Sequence, residues 1–222
     1  MDNTLEVTLP TLGKVTLTRA KLPDSFLTWQ SHARLNMFKT MLEGGGQSVK
    51  MAPVHLPVLA SLGTGIFPVN LATRGIGVLP KDEIIARITE QFQKAQVHVD
   101  RSKFGESLTE RVKQAQEFYS DSDLFNPYIL GGLEIFEGQT SKNLEKNPVV
   151  TLLYTGEAPK FPSYQLNGII EFVKPGSSYY DFLLAARELF AFDHFHVTQH
   201  DYPYGYLFHV IEVRDKTPVT RK

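Results

Sequence analysis

The sequence contains no cysteine. Disulfide bridges, thiolate nucleophiles and cysteine-ligated zinc or iron–sulfur centres are excluded together. It has no excess of charge either: 23 Lys and Arg stand against 24 Asp and Glu, for a net charge of -1. The chain therefore carries neither the electrostatic footprint of a nucleic-acid binder nor an acidic tail. No apolar run approaches the ~20 residues needed to span a bilayer. Met1-Asp2-Asn3 opens no signal peptide, because no basic start leads into an apolar core. Internal repeats and low-complexity segments are absent as well. These absences predict a soluble, cytoplasmic protein with no nucleic-acid or membrane partner. The 222 residues, 42% of them hydrophobic, suffice for one moderate domain or two small ones.

What is present centres on Gly138-Gln139-Thr140-Ser141-Lys142-Asn143-Leu144-Glu145-Lys146-Asn147-Pro148. An apolar, strand-like run from Tyr128 to Phe136 leads in, and the β-branched run Val149 to Tyr154 leads out. Thr140 or Ser141 is placed to cap a short helix. Pro148 stops that helix and pushes Asn147 toward extended dihedrals. Free backbone N–H groups, two hydroxyls and one lysine then converge at a spot suited to a phosphate. An ordinary helix start uses the same residues, so the chemistry alone leaves both readings open.

Taken in order, Leu5, Val7 and Leu9 and then Val15 and Leu17 alternate with polar residues, which predicts a β-hairpin. A helix capped by Asp24 or Ser25 runs toward Leu42 and ends at Gly44-Gly45-Gly46. That triple glycine is no phosphate loop, since it follows a helix and no Gly-Lys-Ser or Gly-Lys-Thr comes after it. Short strands are expected at Val54 to Leu59 and Ile66 to Leu71. Amphipathic helices follow at Lys81 to Ala95 and from Ser107, where Ser107-Leu108-Thr109-Glu110 has capping-box spacing. The later half reads as strand Tyr128–Phe136, helix Thr140–Lys146, strands Val149–Tyr154 and Tyr164–Val173, a helix from Tyr179 to Phe190, and strand Tyr206–Arg214. Closely spaced strands with one helix inserted late suit a small antiparallel barrel.

Thr140-Ser141-Lys142-Asn143-Leu144 with Asn147-Pro148-Val149-Val150-Thr151-Leu152 resembles a segment of the pyridoxamine-phosphate-oxidase-like proteins, the FMN-binding split barrels. Tyr164-Gln165-Leu166-Asn167-Gly168-Ile169-Ile170-Glu171 resembles the strand that follows in that family. The resemblance covers about residues 124 to 216. It implies an α+β fold: an antiparallel split β-barrel with flanking helices and an N-terminal α+β extension. Residues 1–120 would form the extension, with strands available to the barrel, and residues 121–222 the split-barrel region. By the same implication Thr140, Ser141 and Lys142 hold the phosphate of FMN. Gln139 and the stretch Glu134 to Phe136 lie near the flavin, and Gln165 contacts it from the next strand. A homodimer with a flavin at the subunit boundary, acting on a small-molecule substrate or electron donor, is expected. Val213-Arg214-Asp215-Lys216-Thr217-Pro218 lacks the arginine-rich ending of the true pyridoxamine phosphate oxidases, which disfavours vitamin B6 oxidation.

A second cluster, His194-Phe195-His196-Val197-Thr198-Gln199-His200-Asp201, offers a different chemistry. On a strand His194 and His196 face one side, and His200 could complete a three-nitrogen metal site with Asp193 or Asp201 behind it. The same segment also reads as a polar loop whose aromatics pack, or as a cover over a flavin with His or Tyr as proton donors. A metal-binding protein and a non-catalytic assembly protein on a barrel therefore remain as alternatives to the flavoprotein.

Overall fold

The apolar alternation at the start folds as read. In the computed structural model, β1 (Thr4–Leu9) pairs antiparallel with β2 (Gly13–Thr18) as a separate two-stranded sheet. Gly13 adopts a φ of 68° at the turn, a region glycine enters without a Cβ clash. The structure describes residues 3–44, 54–96, 106–157, 159–190 and 201–219. Next comes α1 (Asp24–Gly44), which buries Phe26, Leu27, Met37, Phe38 and Met41.

The remaining strands are β3 (Val58–Leu62), β4 (Val69–Thr73), β5 (Gly77–Pro80), β6 (Phe125–Leu133), β7 (Val149–Thr155), β8 (Ser163–Val173) and β9 (Gly205–Asp215). They form one antiparallel seven-stranded sheet in the order β4-β3-β7-β8-β9-β6-β5. Strands from both halves of the chain thus share a single sheet. The edge strands β4 and β5 do not pair with each other, so the sheet is split rather than closed. It nevertheless curls: the Tyr154 hydroxyl on β7 donates to the carbonyl of Ile76, just before β5, at 2.8 Å. In the order of the sheet β8, β9 and β6 lie between those two points.

The helices α2 (Ile85–Lys94), α3 (Leu108–Tyr119), α4 (Gln139–Lys146) and α5 (Ser178–Glu188) complete the α+β fold. Phe118 meets Phe92, Phe125 and Phe182 with ring centroids 5.1–6.3 Å apart, locking α2, α3 and α5 together beside β6. Arg111, fully buried, donates from Nη1 to the Leu189 carbonyl at 2.6 Å and ties α3 to the end of α5. Phe26 packs on Tyr154 and Tyr164 at 5.2 and 5.3 Å, seating α1 on β7 and β8. No described helix is long and apolar enough to cross a membrane.

Several expected boundaries move. The strands predicted at Val54 to Leu59 and Ile66 to Leu71 lie at Val58–Leu62 and Val69–Thr73, because the turn between them occupies Gly63 to Pro68. The strand predicted to end at Phe136 stops at Leu133. The helix predicted from Lys81 starts at Ile85 after a turn that the Lys81 carbonyl closes by accepting from Ile84 and Ile85. Ser107 makes no side-chain cap; its hydroxyl accepts instead from Arg111 Nε at 2.9 Å, so the capping box does not form.

Candidate functional site

The stretch from Gln139 to Lys146 is a helix, α4, but it is capped by Gly138 and not by either hydroxyl. Thr140 and Ser141 fall inside its first turn and face the protein interior at 2% and 3% exposure. Both hydroxyls have partners there. Thr140 Oγ1 accepts from Asn70 Nδ2 at 3.1 Å, and Ser141 Oγ donates to Glu134 Oε2 at 2.8 Å. Glu134 is itself buried, and its Oε1 accepts the Phe136 N–H at 2.8 Å. A buried carboxylate therefore already meets the donors nearest the helix start. Beside it, the Tyr204 hydroxyl lies close to Ser141, and the Tyr206 hydroxyl is buried with no hydrogen-bond partner among the described residues. Burial pushes the Tyr204 phenol up from its ordinary value.

The opposite side of α4 opens onto a cleft of about 810 Å³ between the helix and the β3–β4 turn. Gln139 and Lys142 line it, joined by Lys146 one turn further on. The side chains of Lys142 and Lys146 are exposed, and neither forms an ion pair among the described residues. Across from them stand Gly63, Phe67 and Asn70, with Pro10 of the β1–β2 turn at the margin. A chain of amides and hydroxyls fixes the wall. Gln139 Nε2 donates to Asn143 Oδ1 at 2.8 Å, and Asn143 Nδ2 donates to the fully buried Ser61 Oγ at 3.1 Å. Gly63 sits where an added Cβ would come within 3.0 Å of Asn143 Oδ1, so the turn lies tight against the helix.

The structure thus brings Gln139 and Lys142 to one cleft and turns Thr140 and Ser141 away from it. Gln165 lies elsewhere, on the outward face of β8. Its Nε2 donates to Asn167 Oδ1 at 3.1 Å, within a network that includes Thr151, Glu212 and Arg214. His194, His196 and His200 lie outside the described residues. Among the described residues no group of His, Asp and Glu could hold a metal ion. The sequence reading missed Ser61, Asn70 and Lys146. A polar residue at a buried position of the run Val58–Leu62, and a lysine four residues after Lys142, were the available signals.

No family model matches the sequence, and no curated protein matches it. Among solved structures the chain is similar to a Listeria innocua protein provisionally assigned as a pyridoxamine 5'-phosphate oxidase, at 12% identity and a TM-score of 0.40 over 81% of this chain and 97% of that one. It is similar to an FMN-binding protein from Syntrophomonas wolfei subsp. wolfei, at 6% identity and 0.41 over 88% and 95%. It is also similar to HutZ, the heme storage protein from Vibrio cholerae, at 9% identity and 0.38 over 80% and 94%.

Proposed function

We propose that the chain is an FMN-binding protein, a cytoplasmic flavin-dependent oxidoreductase that works as a homodimer on a small-molecule substrate or electron donor. The observation that carries this reading is the cleft beside α4, with two lysines at one wall that have no ion pair among the described residues and the exposed Phe67 ring at the other. Its volume of about 810 Å³ lies in the range of small-molecule sites. Lys142 and Lys146 would hold the phosphate by charge-assisted hydrogen bonds. The Gln139 amide would add a donor there. Thr140 keeps its own hydroxyl proton, whereas the Ser141 proton is committed to Glu134. Phe67, 91% exposed, would cover the ring system. Bound flavin supplies the hydride chemistry, and the protein's part is to orient it and govern access.

The exposed side chains of Val69 and Leu71 on β4, Leu62 on β3 and Leu153 on β7 share one face of adjacent strands. An apolar face of this kind marks an interaction surface. A second copy of the chain would cover it and complete the cleft at its margin.

Titration with FMN, followed by desalting and a visible spectrum, tests the reading. Retained flavin bands support it. Saturating FMN that produces neither quenching of flavin fluorescence nor thermal stabilisation overturns it. A second reading uses the same two lysines: a planar ligand with two carboxylates, such as heme, would pair one carboxylate with each. Heme titration in the same experiment separates the two, because a porphyrin gives a Soret band and flavin does not.

A further inference from the structure

We propose that Asn70 decides which anions the cleft beside α4 accepts: its side-chain oxygen takes a hydroxyl donor from the ligand, so the cleft selects a phosphate ester that carries a polyol chain. This selection rests on the flavin reading of the cleft, and it concerns the part of the ligand between the charged end and the ring.

Among the described residues the lining holds Lys142 and Lys146 but no Asp or Glu. Neither lysine has an ion pair among the described residues, so that wall is complementary to an anion. Charge alone does not separate one dianion from another. The neutral polar groups of the lining make that choice.

Most of those groups are already engaged. Asn143 is used at both ends, its Oδ1 accepting from Gln139 and its Nδ2 donating to Ser61. Asn147 Oδ1 accepts the Val149 N–H at 3.2 Å. Gln139 is exposed, and the bond to Asn143 is its side chain's single anchor among the described residues. Asn70 differs. Its Nδ2 donates to Thr140 Oγ1 at 3.1 Å and to Ser61 Oγ at 3.4 Å, which uses both of its N–H groups. Its Oδ1 has no hydrogen bond among the described residues and is not sealed from solvent. The cleft therefore presents an acceptor held in place by two bonds, and such an atom can take only a donor.

Asn70 belongs to β4, on the wall that faces the lysines, yet its side chain reaches Thr140 on α4. The carboxamide thus bridges the two walls, with the lysines on one and Phe67 on the other. A ligand held by its phosphate at the lysines and by its ring at Phe67 lays its connecting chain over this oxygen. In FMN that chain is ribityl, a row of hydroxyl donors. The rim of a porphyrin offers carboxylates, methyl and vinyl groups, so it would cover the Asn70 oxygen without pairing it, which costs free energy.

The test is calorimetric titration of the full chain with FMN and with a flavin phosphate whose ribityl chain is replaced by a plain pentyl chain. Both ligands are run on the wild-type chain and on Asn70→Leu. The substitution should cut the ratio of FMN affinity to analogue affinity about threefold to tenfold, the size of a neutral hydrogen bond. Because it also removes the donor to Thr140 and Ser61, a purely structural role would weaken both ligands alike and leave the ratio unchanged. Asn70→Ser gives the same comparison if Asn70→Leu proves unstable. FMN binding with an unchanged ratio overturns this proposal and leaves the flavin reading standing. A wild-type chain that binds neither flavin overturns both.

Discussion

Tyr154 on β7 reaches across the interior to the carbonyl of Ile76, 2.8 Å away, and this contact joins two parts of a sheet that do not pair. The phenol is fully buried, and burial pushes its pKa up, so it remains a donor throughout the ordinary pH range. Tyr154→Phe leaves the Ile76 carbonyl unpaired. It should lower stability by about 1–3 kcal/mol, read as a shifted urea midpoint, with ligand binding in the α4 cleft unchanged. An unaltered midpoint would show that the sheet curls without this tie.

Gly168 stands where β8 shifts register against β9, and the close approach there has no room for a methyl group. A Cβ would lie 2.3 Å from the His209 carbonyl oxygen and 2.6 Å from the Phe208 ring. Gly168→Ala should destabilise by about 1–3 kcal/mol, the usual range for overpacking. Gly65→Ala, with nothing within 4 Å of its Cβ, serves as the matched control and should leave thermal unfolding nearly unchanged.

His55 is 3% exposed, with a ring Nδ1 that has no partner among the described residues. Burial, aided by the Arg34 charge, pushes its pKa down to about 2. The unfolded chain takes up a proton near pH 6.5 while the folded one does not, so stability is full above that value and falls below it. The loss has a limiting slope of about 1.4 kcal/mol per pH unit. His55→Leu should flatten that limb in denaturation curves recorded between neutral pH and the carboxylate range. Equal slopes in both proteins would refute the assignment.

Glu171 has the opposite chemistry but the same sign. Its hydrogen bond to His209 holds the carboxyl below its usual range, despite partial burial. The stabilisation is present above the ordinary carboxylate value and disappears as pH falls through the depressed one. Because Glu171 is half exposed, screening keeps the effect small, and Glu171→Gln should remove it.

Lys142 is exposed and outside any ion pair among the described residues, so Lys142→Ala should leave folding intact. FMN binding should weaken by about 1.5 kcal/mol, roughly tenfold, the lower end for a charge-assisted contact. Lys146→Ala should act similarly, whereas Ser141→Ala should lower stability more than affinity because it leaves Glu134 short of a donor. A charge on the exposed apolar face, Leu71→Asp, should convert the proposed dimer to monomer in sedimentation velocity, and a wild-type chain that sediments as a monomer would refute the dimer.

Local order was legible in the residues themselves. The alternation of Leu5, Val7 and Leu9 produced β1, the stripe of Leu108, Val112, Ala115 and Phe118 became the buried face of α3, and Pro148 ended α4 as its chemistry requires. These features depend on neighbours a few residues apart, so periodicity and dihedral preference suffice to find them. The antiparallel class was legible for the same reason. The rotation of α4 about its own axis was not. Thr140 and Ser141 look like caps in one dimension, but Glu134 and Asn70, brought in by β6 and β4, draw both hydroxyls inward and leave Lys142 and Lys146 facing the cleft. Which side of a short helix meets water is set by what packs against it. Residues as distant along the chain as Asn70 and Thr140 become partners only once the sheet has formed.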